Sequence, residues 1–244
     1  GLAAADYDLD GDLDLFVCRY FGDSDAGAQL AVPAPYFDAN NGGSNFLLRN
    51  DGGGAGATWI SFTDATEISG LALNGQRFSY AAVWDDFDAD ADPDLYVVND
   101  FGKNVLYLNE GGQFTDATVA VGLEDSAFGM SASSGDFDRN GVSDLYVGNM
   151  FSAAGSRITR QKNFRDGRDE GLRGEFQRLA RGNSLFSGAL DPSGKPGFTD
   201  VSVGAGVTLG RWSWGSIFLD FNNDGWEDLF VANGFITGRQ PDDL

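Results

Sequence analysis

The sequence contains no histidine and one cysteine, Cys18, among its 244 residues. A lone cysteine excludes an internal disulfide, and the two shortages together exclude a zinc site built from thiolates and imidazoles. Any general base would have to be a lysine, an arginine, a tyrosine or a carboxylate. The longest apolar runs are far shorter than the ~20 residues that cross a bilayer, so we expect no membrane insertion.

Basic residues are scarce as well. The chain has 16 Lys and Arg against 37 Asp and Glu, a formal net charge of −21. Because it lacks an overall basic footprint, we expect no binding to nucleic acid. No signal peptide is visible, and the chain begins at Gly1 rather than at methionine, which indicates a piece of a longer protein.

The acidic residues are concentrated in four segments of nine residues, at 6–14, 86–94, 136–144 and 220–228. Each has Asp or Asn at positions 1, 3 and 5 and Asp at position 9, and each runs into Leu, an aromatic residue and Val. Carboxylates this close repel one another unless a cation lies among them, and calcium accepts about six to eight oxygen ligands in a flexible shell. The pattern predicts up to four Ca²⁺ ions, one in each loop.

The predicted ligands are the side chains at positions 1, 3, 5 and 9 and the backbone carbonyl of position 7. They are Asp6, Asp8, Asp10, Asp12 and Asp14; Asp86, Asp88, Asp90, Asp92 and Asp94; Asp136, Asp138, Asn140, Val142 and Asp144; and Asp220, Asn222, Asp224, Trp226 and Asp228. Position 6 needs a positive φ, which favours the glycines found in three of the loops. Ala91 takes this position in the second loop and predicts either strain or a different path. Pro93 also departs from the pattern.

An EF-hand is an alternative reading of these segments. It requires a bidentate Glu at position 12 and a helix on both sides of the loop. Position 12 is valine in all four segments, at 17, 97, 147 and 231, within runs that favour strands. A solvated turn is a second alternative for any single loop, but four copies argue against it. A third alternative is that the ions bind but have a purely architectural role.

The acidic segments also mark a structural repeat. Their starts lie 80, 50 and 84 residues apart, and a period near 40–50 residues with short strands is typical of propeller blades. The second repeat predicts strands at 80–84, 95–98 and 104–109 and a fourth from 114. We therefore predict an all-β fold, a single partial β-propeller over residues 1–244. Its approximate blades are 1–70, 71–122, 123–206 and an incomplete 207–244.

These blades number about three and a half to four, and a closed ring normally has about 4–8. We therefore expect a fragment of a larger propeller, with the remaining blades outside this sequence. An insertion at 151–182 interrupts the third repeat. Leu172, Phe176 and Leu179 have helical spacing, which predicts one short helix near 169–181.

This insertion concentrates the basic residues of the chain. Residues 157–181 hold eight basic and four acidic side chains, a net charge of +4. In one interpretation the helix packs on the acidic domain and its charges are satisfied there. In the other it forms a basic patch for an anionic partner such as an acidic polysaccharide.

Several stretches are similar to a known family. They are 99–102, 148–152, 157–160, 178–183, 211–215 and 221–229. The chain resembles FG-GAP/VCBS repeats, the calcium-loop blades also found in integrin α-subunit propellers, and most closely the cartilage acidic protein (ASPIC-type) family. The resemblance implies a seven-bladed calcium propeller that is exported, hence secreted, extracellular or periplasmic.

The resemblance also implies binding or adhesion rather than catalysis. We expect a non-enzymatic scaffold, with no catalytic residues, whose partner is a protein or an acidic or neutral glycan. The alternative is a polysaccharide-active enzyme, such as a lyase, built on a calcium propeller. The repeated Arg-Xaa-Ser triplets at 77–79 and 211–213 could then reach a shared face, although a structural role is the simpler interpretation.

Overall fold

The fold is that of a computed structural model in which residues 1–22, 32–52, 60–164 and 170–234 are described. Strands predominate, as the sequence predicts. The strands are Leu2–Ala5 (β1), Asp14–Val17 (β2), Phe46–Asn50 (β3), Phe62–Asp64 (β4), Phe78–Asp85 (β5), Asp94–Asp100 (β6), Gly102–Lys103 (β7), Val105–Asn109 (β8), Phe114–Asp116 (β9), Ser126–Ala127 (β10), Gly129–Gly135 (β11), Asp144–Asn149 (β12), Ser184–Leu190 (β13), Pro196–Asp200 (β14), Ser213–Leu219 (β15) and Asp228–Asn233 (β16). The helices are Ala153–Thr159 (α1), Glu170–Leu179 (α2) and Ser202–Ala205 (α3).

Three sheets repeat one topology. Sheet 1 has the order β1-β2-β3-β4, sheet 2 the order β5-β6-β8-β9, and sheet 3 the order β11-β12-β13-β14, with every pair antiparallel. Sheet 4 has two described strands, β15 and β16, and β7 pairs with β10 in a separate short ribbon. The four strands predicted for the second repeat lie in sheet 2 and are confirmed. Residues 235–244 of the predicted fourth blade lie outside the described residues.

The apolar core lies in layers between successive sheets. Phe16 of sheet 1 packs edge-on against Trp84 of sheet 2, with ring centroids 6.4 Å apart. Tyr96 of sheet 2 belongs to the cluster shared with sheet 3, and Tyr146 of sheet 3 packs against Phe218 of sheet 4. All seven residues of β6 are buried, since both faces of sheet 2 are covered. Burial of each large side chain stabilises the fold by about 1.5–3 kcal/mol.

The insertion holds two helices where the sequence predicts one. The predicted helix is α2, although Asp169 lies outside the described residues and the helix ends at Leu179, before the predicted boundary. The prediction of a single helix is wrong. It relied on the helical spacing of apolar residues, and α1 has no such spacing. A side-chain cap begins α1, with Ser152 Oγ accepting the Gly155 N–H at 3.0 Å. Over the described ranges, each helix is too short to cross a lipid bilayer.

Candidate metal centres in four loops

The four loops share one backbone geometry. In each, the residue just before position 1 pairs with the Asp at position 9, so the same register closes every hairpin. The backbone is left-handed at position 4, where φ is 57–63° at Leu9, Ala89, Arg139 and Asn223. It has positive φ again at position 6, including 78° at Ala91. The second loop therefore follows the common path and accepts the strain of a left-handed alanine, about 1–2 kcal/mol.

The carboxylate at position 1 organises each loop. Its Oδ1 accepts the N–H of position 5 at 2.9–3.1 Å, and its Oδ2 accepts the N–H of position 6 at 2.8–3.0 Å. The residues that hold this place are Asp6, Asp86, Asp136 and Asp220. These bonds fold the loop around the acidic side chain, which leaves positions 3 and 5 close to it.

The carboxylate at position 9 connects the loop to its sheet. Asp94 Oδ2 accepts the Phe87 N–H at 2.8 Å, while its Oδ1 accepts the Asn109 N–H of β8 at 2.8 Å. The bonds of Asp14 and Asp144 follow the same plan. All three groups are fully buried. Burial raises the pKa of Asp94 to about 7 and those of Asp14 and Asp144 to about 6.

Ligand atoms converge in three of the loops. The groups of carboxylates whose oxygens lie within 4.8 Å of one another are Asp6, Asp8 and Asp10; Asp86, Asp88 and Asp90; and Asp136, Asp138 and Asp144. The fourth loop has Asn222 at position 3, whose Nδ2 donates to Asp224 Oδ2 at 3.0 Å. No ion pair joins a loop carboxylate to a basic side chain in the described parts of the chain.

Four oxygens in the first two loops are buried without a hydrogen-bond partner. They are the Oδ1 atoms of Asp8, Asp12, Asp88 and Asp92. Burial raises the pKa of Asp88 to about 6 and also raises that of Asp92. An unpartnered buried oxygen is costly, and a cation at the centre of the loop would relieve that cost. At position 7, where the pattern predicts only a backbone carbonyl, two loops thus offer a side-chain oxygen too.

The chemistry of these donors decides which ion fits. All are carboxylate, amide or carbonyl oxygens, the ligands that hard cations such as Ca²⁺ prefer. Zinc prefers nitrogen and sulfur ligands, and the one thiol, Cys18, is buried with a pKa raised to about 11. Magnesium usually keeps several waters and demands a stricter geometry than a dense carboxylate cluster provides. The donors are therefore of the kind that hard cations, calcium among them, prefer.

Side chains from neighbouring sheets connect the loops to one another. Asn109 Nδ2 donates to the carbonyl of Tyr7 in the first loop at 2.8 Å and to that of Pro93 in the second at 3.0 Å. Pro93 is therefore compatible with the fold. Its carbonyl accepts the hydrogen bond from Asn109, and proline has no backbone N–H that would need a partner. Arg139 of the third loop lies over the Trp226 ring of the fourth, 4.0 Å from its centroid. Sequence reasoning missed both links, since their partners are distant along the chain.

The basic insertion is partly satisfied within the fold. Arg178 forms an ion pair of 2.6 Å with the fully buried Asp125, and Arg181 forms one of 2.8 Å with Asp200. Arg173 donates to three backbone carbonyls at the end of α1, at 3.2–3.4 Å. The exposed basic side chains are Arg157, Arg160 and Lys162, while Arg165 and Arg168 lie outside the described residues.

The serines of the repeated Arg-Xaa-Ser triplets form hydrogen bonds that link neighbouring sheets. Ser79 Oγ accepts from Asn45 at 2.9 Å and donates to Asn99 at 2.8 Å, which joins sheets 1 and 2. Ser213 Oγ donates to Asn183 at 2.9 Å, which joins sheets 4 and 3. Both serines are buried, so neither lies on a shared outer face.

Comparison with known proteins places part of this molecule in a class. The antiparallel sheets and repeated loops define a β-rich repeat protein, and residues 86–147 match the family described as FG-GAP-like repeat. The match begins at position 1 of the second loop and ends in β12 after the third. No curated protein sequence matches the chain significantly. The chain thus carries an FG-GAP-like repeat, a unit of β-propeller-like binding and adhesion scaffolds.

Proposed function

We propose that this protein is a calcium-binding β-propeller scaffold that binds protein or glycan ligands outside the cytoplasm and performs no catalysis. One observation carries the calcium proposal: four loops share one backbone geometry, and in three of them carboxylate oxygens converge without an ion pair to a described basic group. The FG-GAP-like repeat at 86–147 supports the scaffold role. The resemblance to the cartilage acidic protein family belongs to the same proposal.

The order of the sheets supports a propeller. The first strands of sheets 1 to 4 follow one another side by side, and Tyr80 of sheet 2 lies 6.3 Å from Trp214 of sheet 4, measured between ring centroids. Each sheet is an antiparallel meander or its first half. Further sheets of the same kind would cover the exposed side chains of sheet 4, among them Phe230.

Calcium at these loops would contribute substantially to stability. Extracellular calcium modules bind at about 10⁻⁴–10⁻³ M, so such loops fill outside the cell and empty inside it. At ten times the dissociation constant, each ion stabilises the folded state by about 1.4 kcal/mol, and four ions by about 6 kcal/mol. Domains as a whole are stable by about 5–15 kcal/mol. Calcium would therefore decide whether the fold persists.

The lyase alternative is less well supported. With no histidine in the chain, a tyrosine would be a natural base. Burial raises the pKa of Tyr20 and of Tyr36 above the ordinary range, so both phenols stay protonated at neutral pH.

Calcium titration of the full chain tests the proposal. We expect isothermal titration calorimetry in metal-free buffer to record up to four ions, with dissociation constants near 10⁻⁴–10⁻³ M. Thermal unfolding in excess chelator should begin many degrees lower than in millimolar calcium. Equal melting temperatures in the two buffers, with no heat of binding, would refute the calcium role. Turnover of acidic polysaccharides would refute the absence of catalysis.

A further inference from the structure

A cavity of about 610 Å³ opens at the strand ends remote from the four loops. Asp100 and Phe101 border it where β6 ends, Phe128 where β11 is about to begin, and Trp212 just before β15. Tyr36 closes one side. Since β6 has seven residues and begins at the second loop, the cavity lies about 20 Å from the candidate metal centres. None of the predicted metal ligands lines it.

Aromatic rings form one wall of this cavity. The Phe101 ring lies edge-to-face with Tyr36 at 5.1 Å and with Phe128 at 5.4 Å between centroids. Tyr36 and Phe128 are 5.7 Å apart. Tyr36 keeps 49% of its surface exposed although its neighbours are partly buried. The wall is therefore aromatic and accessible, and its π faces favour a cation.

One buried acidic residue, Asp100, borders the cavity beside this aromatic wall. Asp100 is 8% exposed, and its Oδ2 accepts the Tyr20 hydroxyl at 2.7 Å. Burial raises its pKa to about 6, so the group is ionised at pH 7.4. Among the described residues, no lysine or arginine forms an ion pair with it. Arg211 also lines the cavity, and its side chain is exposed.

We propose that this cavity binds a small organic cation, a protonated amine on an aromatic or aliphatic frame. The apolar frame would lie against the rings of Tyr36 and Phe101, and the ammonium group would face Asp100. The volume lies within the range of about 300–1,000 Å³ that is typical of small-molecule sites. The net charge of −21 attracts cations and disfavours anions. This site goes beyond the scaffold role and does not depend on the metal loops.

A matched set of three ligands tests the charge requirement. The probes are 3-phenylpropylamine, 3-phenyl-1-propanol and 3-phenylpropanoate, which share one frame and differ in charge. We expect calorimetry on the full chain in millimolar calcium to show amine binding at least ten-fold tighter than alcohol binding, and no binding of the carboxylate. Equal affinity for amine and alcohol would overturn the proposal, as would failure of all three probes to bind the folded protein.

Variants locate the site. Asp100→Asn keeps an acceptor for the Tyr20 hydroxyl but removes the charge, and should weaken amine binding at least ten-fold. Glu67→Gln removes an equal charge from an exposed site outside the cavity and should leave binding unchanged. Tyr36→Leu removes a half-exposed ring and should weaken binding several-fold, which keeps the test available if Asp100→Asn unfolds. Unaltered amine affinity in a folded Asp100→Asn or in Tyr36→Leu would place the binding elsewhere and sink the idea.

Discussion

The guanidinium of Arg139 lies 4.0 Å from the centroid of the Trp226 indole ring, and this contact joins the third loop to the fourth. Arg139 also crowds the neighbouring Gly225, where an added Cβ would lie 2.9 Å from its Nη2. The third loop belongs to sheet 3 and the fourth to sheet 4. A substitution in one of these loops therefore alters a contact of the other. An exposed cation–π contact of this kind contributes about 0.5–1 kcal/mol.

We therefore predict that Arg139→Gln lowers the free energy of unfolding by about 0.5–1 kcal/mol. A double-mutant cycle with Trp226→Leu in urea denaturation measures the coupling. Arg160→Gln, at an exposed site on the insertion, is the control and should change little. Additive effects of the two loop substitutions would show that the contact contributes no energy.

The second loop should become more stable when its strain is removed. Ala91 has φ 78°, in the left-handed region where glycine is unstrained. Ala91→Gly relieves about 1–2 kcal/mol of strain. It also destabilises the fold by about 0.5–1 kcal/mol, because glycine gives the unfolded chain more conformational entropy. We expect a net gain of about 0.5–1 kcal/mol in chemical denaturation.

The same substitution in an ordinary strand provides the comparison. Ala232 lies in β16, so Ala232→Gly should lower stability by about 0.5–1 kcal/mol. If Ala91→Gly destabilises the protein to the same extent, then the backbone at this position is not strained.

Removal of the partly buried charge of Asp88 should have opposite effects on stability with and without calcium. Asp88 has an unpartnered buried oxygen, and its pKa is raised by burial and by the neighbouring Asp90 and Asp86. Asp88→Asn relieves this repulsion, so the melting temperature in chelator should rise. It also removes a proposed ligand, so the stabilisation by calcium should fall by about 1.4 kcal/mol at ten times the dissociation constant.

Glu67→Gln serves as the matched control, because it removes one exposed charge outside the loops. The calcium-dependent rise in melting temperature should be unchanged in this variant. If Asp88→Asn retains the full calcium effect, the second loop does not bind through this side chain.

Proton binding and calcium binding should compete at the loops. Burial raises the pKa of Asp94 to about 7 and those of Asp14, Asp88 and Asp144 to about 6. In the metal-free protein these groups bind protons more tightly when folded than when unfolded. Their contribution to stability is therefore complete below about pH 4, the ordinary Asp value, and is lost as the pH rises through 6 to 7.

Calcium requires the ionised carboxylates, so its stabilising effect should be small at pH 5 and large at pH 7.5. Melting temperatures in metal-free buffer and in 5 mM calcium at both pH values provide the measurement. A calcium effect of equal size at the two pH values would mean that these carboxylates do not hold the ion.

Much of this molecule could be predicted from the order of its residues. The strands of sheet 2, the positive φ at position 6 of the loops, and helix α2 follow from local alternation, the tolerance of glycine for positive φ, and helical spacing. Helix α1 could not be predicted, because it lacks an amphipathic period and because the contact of Arg173 from α2 with its last turn is tertiary. The positive φ at position 4 of the loops could not be predicted either, because a different residue type (Leu, Ala, Arg or Asn) occupies it in each loop.

The sequence by itself determined four acidic turns between strands, because charge repulsion and turn geometry act within nine residues. Tertiary structure alone decided which oxygens remain unpartnered in those turns, and that Asn109 and Arg139 bind across neighbouring sheets. It also decided that Asp100, Tyr36 and Trp212 border one cavity. These contacts join residues that lie far apart along the chain, such as Tyr7 and Asn109. Only the packing of whole sheets brings them together.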